Sequence, residues 1–518
     1  MSKDSEVQRR SPQKDRKQGI PISVFTRLEI ARRRREKGLT QADVAHATGY
    51  CLRAIQNLES RTYKQPIREV VFFEVCECLG VPPKEILPRK KSRTASLLPE
   101  EVRASTELFS RVLAGTGLYD TLESIYPRHA DKLLRFNGKR FAVAAFPAPP
   151  EQWDDVESVR GDLLTTSGLS EDEYPKGLFD EYGYDEFMKL LEKEKSFPLK
   201  YWNDPTYDFA DFKVTKEGLK LSFKVGSYFH ALSTTDALIE RELLKNLSKN
   251  PNARLKLGQL PRRKWLHDQL AKKDKDPILC GDFRSAATGV NTLIVFKDKD
   301  TNGWYFFGHP RSDNVATYPC FFHIIPSGMF QPVVLKKEPQ RAFEIKRSFF
   351  REYLEELYNH KDAKRPSNRA HVGYLDYEPP LRRLRRRIES RDPNYKAELC
   401  FTGVSMNLLT LRPDICLLLL IRDPDWYDQE GTGKPDKLDK NRIFSIDFND
   451  EYLPERDAPR FNDILKNLGL RKLATRVALN EKLEIADPDI LGPHNMLPPA
   501  AAFIHFGLKV ARRKLGIE

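Results

Sequence analysis

The sequence has few cysteines and no long apolar run. Its seven cysteines form no CxxC pair, which argues against the usual zinc-binding spacings, and their scatter among apolar residues is typical of buried thiols in a reducing compartment. The longest apolar run, ICLLLLI at 415–421, is too short to span a membrane and predicts a buried strand. The N-terminal residues lack the apolar core of a secretory signal. These absences predict a soluble, cytoplasmic protein without a membrane partner.

The motifs of several large enzyme classes are also missing. The sequence contains no Walker phosphate-binding loop, no GxSxG nucleophile elbow and no HExxH zinc motif. Helical and strand-like patterns alternate without a fixed period, which argues against a solenoid. The informative features are therefore the charge distribution and two clusters of polar residues.

Positive charge is concentrated near the N-terminus. The 518 residues carry a net charge of +13, and 40% of them are hydrophobic, which is enough for substantial cores in two to four domains. Residues 1–100 contain 21 Lys and Arg against 12 Asp and Glu, a surplus of 9. A basic region of this kind predicts a polyanionic partner such as nucleic acid.

Composition and periodicity predict a multidomain chain with an all-α N-terminal domain and a mixed α/β remainder. The predicted segments are a flexible basic arm (1–22), a helical domain (23–87), a linker (88–101), a mixed α/β middle region (102–275) and a last domain (276–518). Helices are predicted at 185–195, 234–247, 341–359 and 381–391. Strands are predicted at 219–225, 287–296, 304–307, 398–411 and 414–421.

Residues 27–61 have the pattern of short helices joined by tight turns. Thr40 can cap the second helix, and Gly49 lies where a tight turn needs a permissive backbone. Ile55 is spaced to pack on the second helix, where the small side chain of Ala45 permits a close crossing. The pattern predicts a helix-turn-helix.

Within this segment, LTQADVA, GY and AIQNLE resemble the Cro/repressor (XRE-type) family of transcriptional regulators, and residues 70–87 are similar to that family's last two helices. In this family the third helix enters the major groove of double-stranded DNA, and paired half-sites predict a homodimer. The resemblance implies a phosphate contact from Gln41, and base contacts from Leu52, Arg53, Gln56 and Asn57. Arg53 suits guanine and Asn57 suits adenine.

Two features of residues 27–61 allow other interpretations. Cys51 stands where the family usually has a Ser or Thr N-cap, so a weaker cap is predicted. The arginines of ARRRREK (31–37) have the pattern of a solvated helix face. A helical bundle used for protein contacts is the alternative to DNA binding.

The second polar cluster lies in REYLEELYN (351–359). On a helix Glu352 and Glu356 are one turn apart with Glu355 beside them, so their carboxylates can converge. Such clustering is repulsive unless a cation compensates it, and carboxylate oxygens suit Mg²⁺, which could polarise a diphosphate and activate water. An ordinary charged helix is the alternative.

This segment resembles the Nudix family, whose box reads G-x5-E-x7-R-E-U-x-E-E-x-G-U, where U is aliphatic. The flanking residues are similar to the strand and glycine turn before the family's helix (303–332), to its later strands (398–427) and to a closing helix (498–516). The resemblance covers about 280–515 and implies a Nudix-like α/β/α sandwich. It also implies that one helix supplies the site residues. The Mg²⁺ ligands would be Glu352, Glu355 and Glu356, of which Glu355 and Glu356 would also be catalytic. Arg351 would orient these carboxylates.

The chain departs from the box at several positions. Gly328 lies 23 positions before Arg351, where the box has about 14, and Phe343 stands at the position of the upstream glutamate. Tyr358 and Asn359 replace the glycine and the aliphatic residue. A fold tolerates such changes more readily than hydrolysis does, because hydrolysis needs ion, water and phosphate fixed together.

Three functions remain open at this stage. The favoured one is a sequence-specific transcriptional regulator whose Nudix-like region senses a nucleotide or another phosphorylated ligand, or mediates assembly. The second is a Mg²⁺-dependent, Nudix-type nucleoside-diphosphate hydrolase that carries a DNA-binding domain. The third is a structural platform that has lost its site.

Overall fold

The computed structural model divides the chain into two compact units, Met1–Ala95 and Ser96–Glu518. The residues that the structure describes are 19–20, 30–31, 33–35, 37–60, 67–80, 99–164, 204–312, 315, 318–332, 339–360, 374–431, 435–436, 439–443, 446, 448–449, 452, 461–470 and 475–518. The helix predicted at 185–195 lies outside them, as do residues 1–18 of the predicted arm and 88–98 of the predicted linker.

The N-terminal unit is built from short helices around its own apolar core. Helical residues at 30–31 and 33–35 precede α1 (Gln41–Thr48), α2 (Leu52–Glu59) and α3 (Glu69–Cys78). The core side chains are Ile30, Val44, Ala45, Ile55, Leu58, Ile67, Val71, Phe72, Val75, Cys76 and Leu79. The strands β1 (Gly19–Ile20) and β2 (Ile67–Arg68) pair antiparallel, so the flexible arm predicted over 1–22 is wrong for residues 19–20.

The C-terminal unit is a mixed α/β structure. Its helices are α4 (Pro99–Ala114), α5 (Thr116–Ile125), α6 (Tyr228–Ala231), α7 (Arg241–Lys249), α8 (Pro261–Ala271), α9 (Ile345–Tyr358), α10 (Pro379–Ile388), α11 (Trp426–Gly431), α12 (Asn462–Asn467) and α13 (Pro498–Lys514). A π-helical segment (Leu232–Glu240) joins α6 to α7, and short 3₁₀ turns lie at Pro127–Lys132, Pro150–Gln152, Leu257–Gln259, Pro339–Ala342 and Tyr374–Tyr377. Because α4 begins at Pro99, the linker predicted over 88–101 ends earlier than expected.

Nine of the described strands of this unit form a large curled mixed sheet. Its members are β3 (Leu133–Phe136), β4 (Lys139–Pro147), β8 (Gly289–Lys297), β9 (Trp304–Pro310), β10 (Phe322–Ile324), β11 (Ser327–Met329), β12 (Ala397–Asn407), β13 (Arg412–Ile421) and β16 (Arg476–Leu479). The order is β10-β9-β8-β13-β12-β4-β3, with β11 on β8 and β16 on β9. Only β13 and β8 pair in parallel among these strands.

Two smaller sheets complete the described strands. The first has the order β5-β7-β6, with β5 (Arg160–Leu163), β6 (Pro205–Val214) and β7 (Leu219–Ser227). The second is the pair β14 (Pro435–Asp436) and β15 (Asp439–Ile443).

The domain boundary predicted at 275/276 is wrong. Strand β4 from the predicted middle region pairs with β12 from the predicted last domain, where Pro147 lies opposite Gly403. The apolar cores on both sides of the boundary also form one cluster. Residues 96–518 therefore form one folded unit.

Most of the predicted elements in this unit are confirmed. The strands predicted at 219–225, 287–296, 304–307 and 414–421 correspond to β7, β8, β9 and β13, and β8 pairs with β9 as the predicted hairpin. The strand predicted over 398–411 ends at Asn407, and a turn follows. The helix predicted over 341–359 starts later, at Ile345, and the residues just before it form a 3₁₀ turn.

The apolar run at 415–421 is central to the sheet. All seven of its side chains are completely buried. Strand β13 lies between β8 and β12 and is covered on both faces, which is why its sequence shows no polar alternation. The apolar stretch of α13 packs across β13, β12, β4 and β8. Among the residues that the structure describes, no helix combines the length and apolar character needed to cross a membrane.

Candidate nucleic-acid interface and carboxylate site

The turn between α1 and α2 is formed by local interactions. The Thr40 hydroxyl accepts a hydrogen bond from the Asp43 backbone N at 3.1 Å, and the Asp43 carboxylate accepts one from the Thr40 backbone N at 2.7 Å. The bond from the Thr40 backbone N, followed by one from the Thr40 hydroxyl to the same carboxylate, lowers the pKa of the Asp43 carboxyl. Gly49 ends α1 with φ +70°, a left-handed conformation that favours glycine. The capping box and the glycine thus fix where α1 starts and stops.

Helix α2 has one buried and one exposed face. Ile55 and Leu58 are completely buried in the core of the N-terminal unit. Leu52 is 43% exposed, and Arg53 and Gln56 are exposed beside it. The start of α2 therefore presents one apolar and two polar side chains to solvent.

Two other predicted residues of this surface differ in exposure. Asn57 is half-buried, so it lies at the edge of the exposed face. Cys51 is exposed and makes no side-chain capping bond, which confirms the weaker cap predicted for α2. The first turn of α2 is held by packing on α1 rather than by its cap.

Glu59 links three parts of the N-terminal unit. Its carboxylate accepts two hydrogen bonds from the Arg34 guanidinium, at 2.7 Å and 2.9 Å, and one from the Gln41 amide at 2.8 Å. Arg34 also donates to the Leu39 carbonyl at 2.6 Å. The bond to Glu59 raises the pKa of the Arg34 guanidinium.

The hydrogen bonds that join Arg34, Gln41 and Glu59 form a clamp. This clamp corrects the prediction for Arg34 and bears on the prediction for Gln41. Arg34 was predicted to lie on a solvated helix face, but only 12% of its side chain is exposed because it pairs internally with Glu59. Gln41 uses its amide group to hold Glu59, and its phosphate contact stays a prediction. The clamp ties the start of α1 to the end of α2, the two helices whose crossing presents Arg53.

The three predicted glutamates lie on α9 and are buried. Glu352, Glu355 and Glu356 are 5%, 7% and 1% exposed. The Arg351 guanidinium, itself 7% exposed, bonds to the Glu352 carboxylate, to the Glu355 carboxylate at 3.2 Å and to the Met329 carbonyl at 2.9 Å. The cation that compensates these carboxylates is therefore a guanidinium of the same helix.

Glu356 has a different set of partners. Its carboxylate accepts hydrogen bonds from the Ser327 backbone N at 2.7 Å and from the Tyr452 hydroxyl at 2.9 Å. Next to Ser327, Gly328 lies against the Glu352 carboxylate so closely that a Cβ there would lie 1.8 Å from a carboxylate oxygen. The glycine turn and the glutamate helix are thus in direct contact.

The contacts of the three glutamates bear on the metal site predicted from the sequence. Among the residues that the structure describes, no three His, Cys, Asp or Glu side chains come together as a set that could hold a metal ion. Two of the predicted Mg²⁺ ligands, Glu352 and Glu355, face Arg351, and Glu356 faces Ser327 and Tyr452. The Mg²⁺ site itself stays a prediction.

A row of polar side chains that sequence reasoning missed lies beside the glycine turn. Asn291 on β8 donates to the Asp414 carboxylate at 3.0 Å, and the Ser327 hydroxyl donates to the Asn291 carbonyl oxygen. The Ser327 hydroxyl also lies 2.9 Å from His323 Nε2. Burial raises the pKa of the Asp414 carboxyl to about 6.

The direction of these bonds excludes a serine nucleophile activated by histidine. The backbone N–H of Ile324 donates to His323 Nδ1 at 2.8 Å, so Nδ1 carries no proton. In the neutral ring Nε2 then carries the proton and donates to Ser327. Burial lowers the pKa of His323 well below its usual value, which keeps the ring neutral. The row is a relay of donors that ends at Asp414.

Arg412 forms the part of this region that reaches solvent. It bonds to the Asp236 carboxylate at 3.1 Å and to the Ala287 carbonyl at 3.0 Å, and 17% of its side chain is exposed. Asp414, two residues along β13, is also half-buried, as are Ser327 and Met329 on β11. A sequence signal for this polar patch was present in the alternation of Arg412 and Asp414 at the start of an otherwise apolar strand.

No protein-family model matches this chain, and no curated protein matches it. The residues and their geometry therefore carry the functional argument. The structure brings Leu52, Arg53 and Gln56 together on one exposed face, and it buries Glu352, Glu355 and Glu356 in a compensated cluster. The first set is exposed to solvent, and the second is buried.

Proposed function

We propose that the protein is a sequence-specific, DNA-binding transcriptional regulator. The observation that carries this proposal is the exposed start of α2, where Leu52, Arg53 and Gln56 project from a helix whose other face is buried against α1. A helix held in this way can enter the major groove with its N-terminal side chains against base edges. The basic N-terminal region supplies the attraction to phosphate, and paired half-sites would require a homodimer.

Arg53→Ala is expected to weaken binding to the specific site by about 1–3 kcal/mol and to relax preference at one base position. The guanidinium is exposed early in α2 and can bond a guanine bidentately. Titrations with the preferred duplex and with single-base variants measure both effects. Lys37→Ala, which removes an exposed positive charge of the same unit, is the control. If Arg53→Ala weakens all duplexes equally, Arg53 contacts phosphate instead.

We further propose that the C-terminal unit is a Nudix-like sandwich that senses a phosphorylated ligand. The order of elements supports this: a hairpin (β8 and β9), the glycine turn at Gly328, the glutamate helix α9, the strands β12 and β13, and the closing helix α13. Gly328, which contacts α9, lies opposite Val290, whereas Leu293 contacts Gly507 of α13. Since side chains three apart on a strand point to opposite faces, the two helices lie on opposite faces of the sheet.

The polar patch around Arg412 is the proposed ligand site. Its guanidinium bonds Asp236, and 17% of its side chain is exposed, so a phosphate group could replace the carboxylate as its partner. The polar relay that ends at Asp414 lies next to it on the same strand. Sensing, rather than hydrolysis, fits a glutamate cluster that is already occupied by Arg351.

Ligand binding without turnover is therefore the expected result. Nucleoside di- and triphosphates, dinucleotides and sugar nucleotides should be screened with Mg²⁺ or Mn²⁺, with binding and product formation measured separately. At least one ligand is expected to bind, to be lost in Arg412→Gln and to be kept in Arg422→Gln, whose side chain pairs with Glu398 at the other end of β13. Rapid turnover that Glu355→Gln abolishes would make the protein a Nudix-type hydrolase instead.

A further inference from the structure

A second block of positive charge lies in the C-terminal unit. Residues 241–275 contain 11 Lys and Arg against 3 Asp and Glu, a surplus of 8. With the surplus of 9 in residues 1–100, the two blocks exceed the net charge of +13 of the whole chain. The rest of the protein, taken together, is therefore net negative, although residues 381–391 also carry 6 Arg against 1 Glu.

The C-terminal block is organised by α7. Arg241, Lys245 and Lys249 are spaced four residues apart and are all exposed, so they form one line along the helix, the basic stripe. The opposite face of α7 is apolar and buried, through Leu243, Leu244 and Leu247. At a rise of about 1.5 Å per residue, the stripe is about 12 Å long.

The side chains of the basic stripe are exposed to solvent. Its three side chains form no ion pair with any residue in the part of the chain that the structure describes, whereas Lys264 and Lys273 on and after α8 pair with Asp268 and Asp282. The one acidic residue of α7, Glu242, is turned inward.

Two further observations complete the surface. The Glu242 carboxylate accepts hydrogen bonds from the backbone N of Arg262 and Arg263, at 2.9 Å and 3.2 Å. It therefore points away from the exposed face of α7 that carries the basic stripe. Arg254 and Lys256, which follow α7, are exposed as well and add to the same block of charge.

We infer that the basic stripe binds the phosphate backbone of double-stranded DNA. This inference rests on the proposed DNA-binding function, to which it adds a second contact, outside the helix-turn-helix. Duplex DNA presents about one negative charge per 1.7 Å of its axis, so a line of three cations about 12 Å long always faces several phosphates. Such contacts are independent of base sequence, and they increase affinity and its salt dependence rather than specificity.

The chemistry of the surface favours a duplex over other polyanions. A helix that binds a membrane surface exposes an apolar face, but that of α7 is buried, and the described large hydrophobic side chains that are exposed lie outside 241–275. Single strands are held by exposed aromatic rings. The tryptophan of this block, Trp265, packs instead against Phe283, with ring centroids 6.0 Å apart.

The test compares two triple variants of the full-length chain. The first is Arg241→Gln, Lys245→Gln and Lys249→Gln. The control is Lys213→Gln, Lys216→Gln and Lys220→Gln, which removes the same charge from exposed lysines on and beside β6 and β7. Binding to the preferred duplex and to a random duplex is measured over a range of salt concentrations, and binding to vesicles of anionic lipid is measured in parallel.

The α7 variant is expected to reduce the slope of log K against log salt by about 2.7 for each chain bound, since each phosphate contact contributes about 0.9. Between about 50 and 200 mM salt, the unmodified protein should therefore lose about 40-fold more affinity per bound chain than the variant, on both duplexes. The control triple should retain nearly the full slope, and Arg53→Ala should still relax specificity.

Equal slopes for the two triple variants would overturn the inference while leaving the proposed function intact, provided that the unmodified chain still selects its duplex. Loss of vesicle binding in the α7 variant, with unchanged DNA binding, would also overturn it and would indicate a membrane partner. If the unmodified full-length chain binds no DNA at low salt, the proposed function itself is contradicted.

Discussion

Arg351→Met is expected to destabilise the C-terminal unit by about 3–5 kcal/mol, the usual consequence of removing one partner from a buried ion pair. The substitution leaves the carboxylates of Glu352 and Glu355 without their compensating guanidinium, although both side chains are less than 10% exposed. It also removes the shorter of two side-chain hydrogen bonds to the Met329 carbonyl, which keeps the one from the Ser348 hydroxyl. Methionine keeps most of the apolar volume of the arginine stem, so the loss reports on charge rather than on a cavity.

Urea unfolding followed by tryptophan fluorescence measures this effect, because all five tryptophans lie beyond residue 95 and so report on the C-terminal unit alone. Arg347→Met is the matched control on the same helix. Its ion pair with Glu344 is partly exposed, and exposed pairs contribute about 0–1 kcal/mol. Equal losses for the two variants would show that the Arg351 cluster is no more important to stability than a surface pair.

Residues 1–95 alone are expected to fold as helix and to bind duplex DNA with an affinity that falls by about 10³–10⁵ between 50 and 200 mM salt, if a homodimer neutralises about 6–10 phosphates. The fragment has its own core, which includes Val44, Ile55 and Phe72, and it carries 21 Lys and Arg against 11 Asp and Glu, a surplus of 10. Circular dichroism measures folding, and fluorescence anisotropy measures binding.

Leu58→Asp is the control for folding in this fragment. It places a charge in a completely buried position and should abolish both helix and binding. A fragment that folds yet binds no DNA even at low salt would favour the alternative in which the helical bundle makes protein contacts.

Local patterns in the sequence were sufficient to predict the elements that depend on near neighbours. The run at 415–421 predicted a strand because a central strand next to a parallel neighbour is buried on both faces. Thr40 and Gly49 predicted the limits of α1 because capping and the left-handed turn depend on a few adjacent residues.

Contacts between distant parts of the chain could not be predicted in this way. The boundary at 275/276 was wrong because the pairing of β4 with β12 joins residues more than 250 positions apart and leaves no local signature. The glutamates of α9 were correctly placed on one helix, but the bond from Tyr452 to Glu356 spans 96 positions. The pairing of Arg34 with Glu59 was hidden for the same reason.

The basic stripe, unlike these long-range contacts, could have been predicted from a local pattern in the sequence. Arg241, Lys245 and Lys249 have the spacing of one helix face, and a charge count in short windows along the chain finds their block. The predicted helix at 234–247 already contained two of them. A count over residues 1–100 alone could not reveal the second block.

The central claim is that α2 reads DNA sequence, and selection of binding sites from a pool of random duplexes tests it most directly. The full-length chain is expected to enrich one motif, made of two half-sites spaced by about one helical turn of 10–10.5 base pairs. Arg53→Ala should enrich the same motif with one position in each half-site no longer specified. Enrichment of no motif by the unmodified chain would contradict the claim, whereas an unchanged motif with Arg53→Ala would assign Arg53 to a phosphate contact.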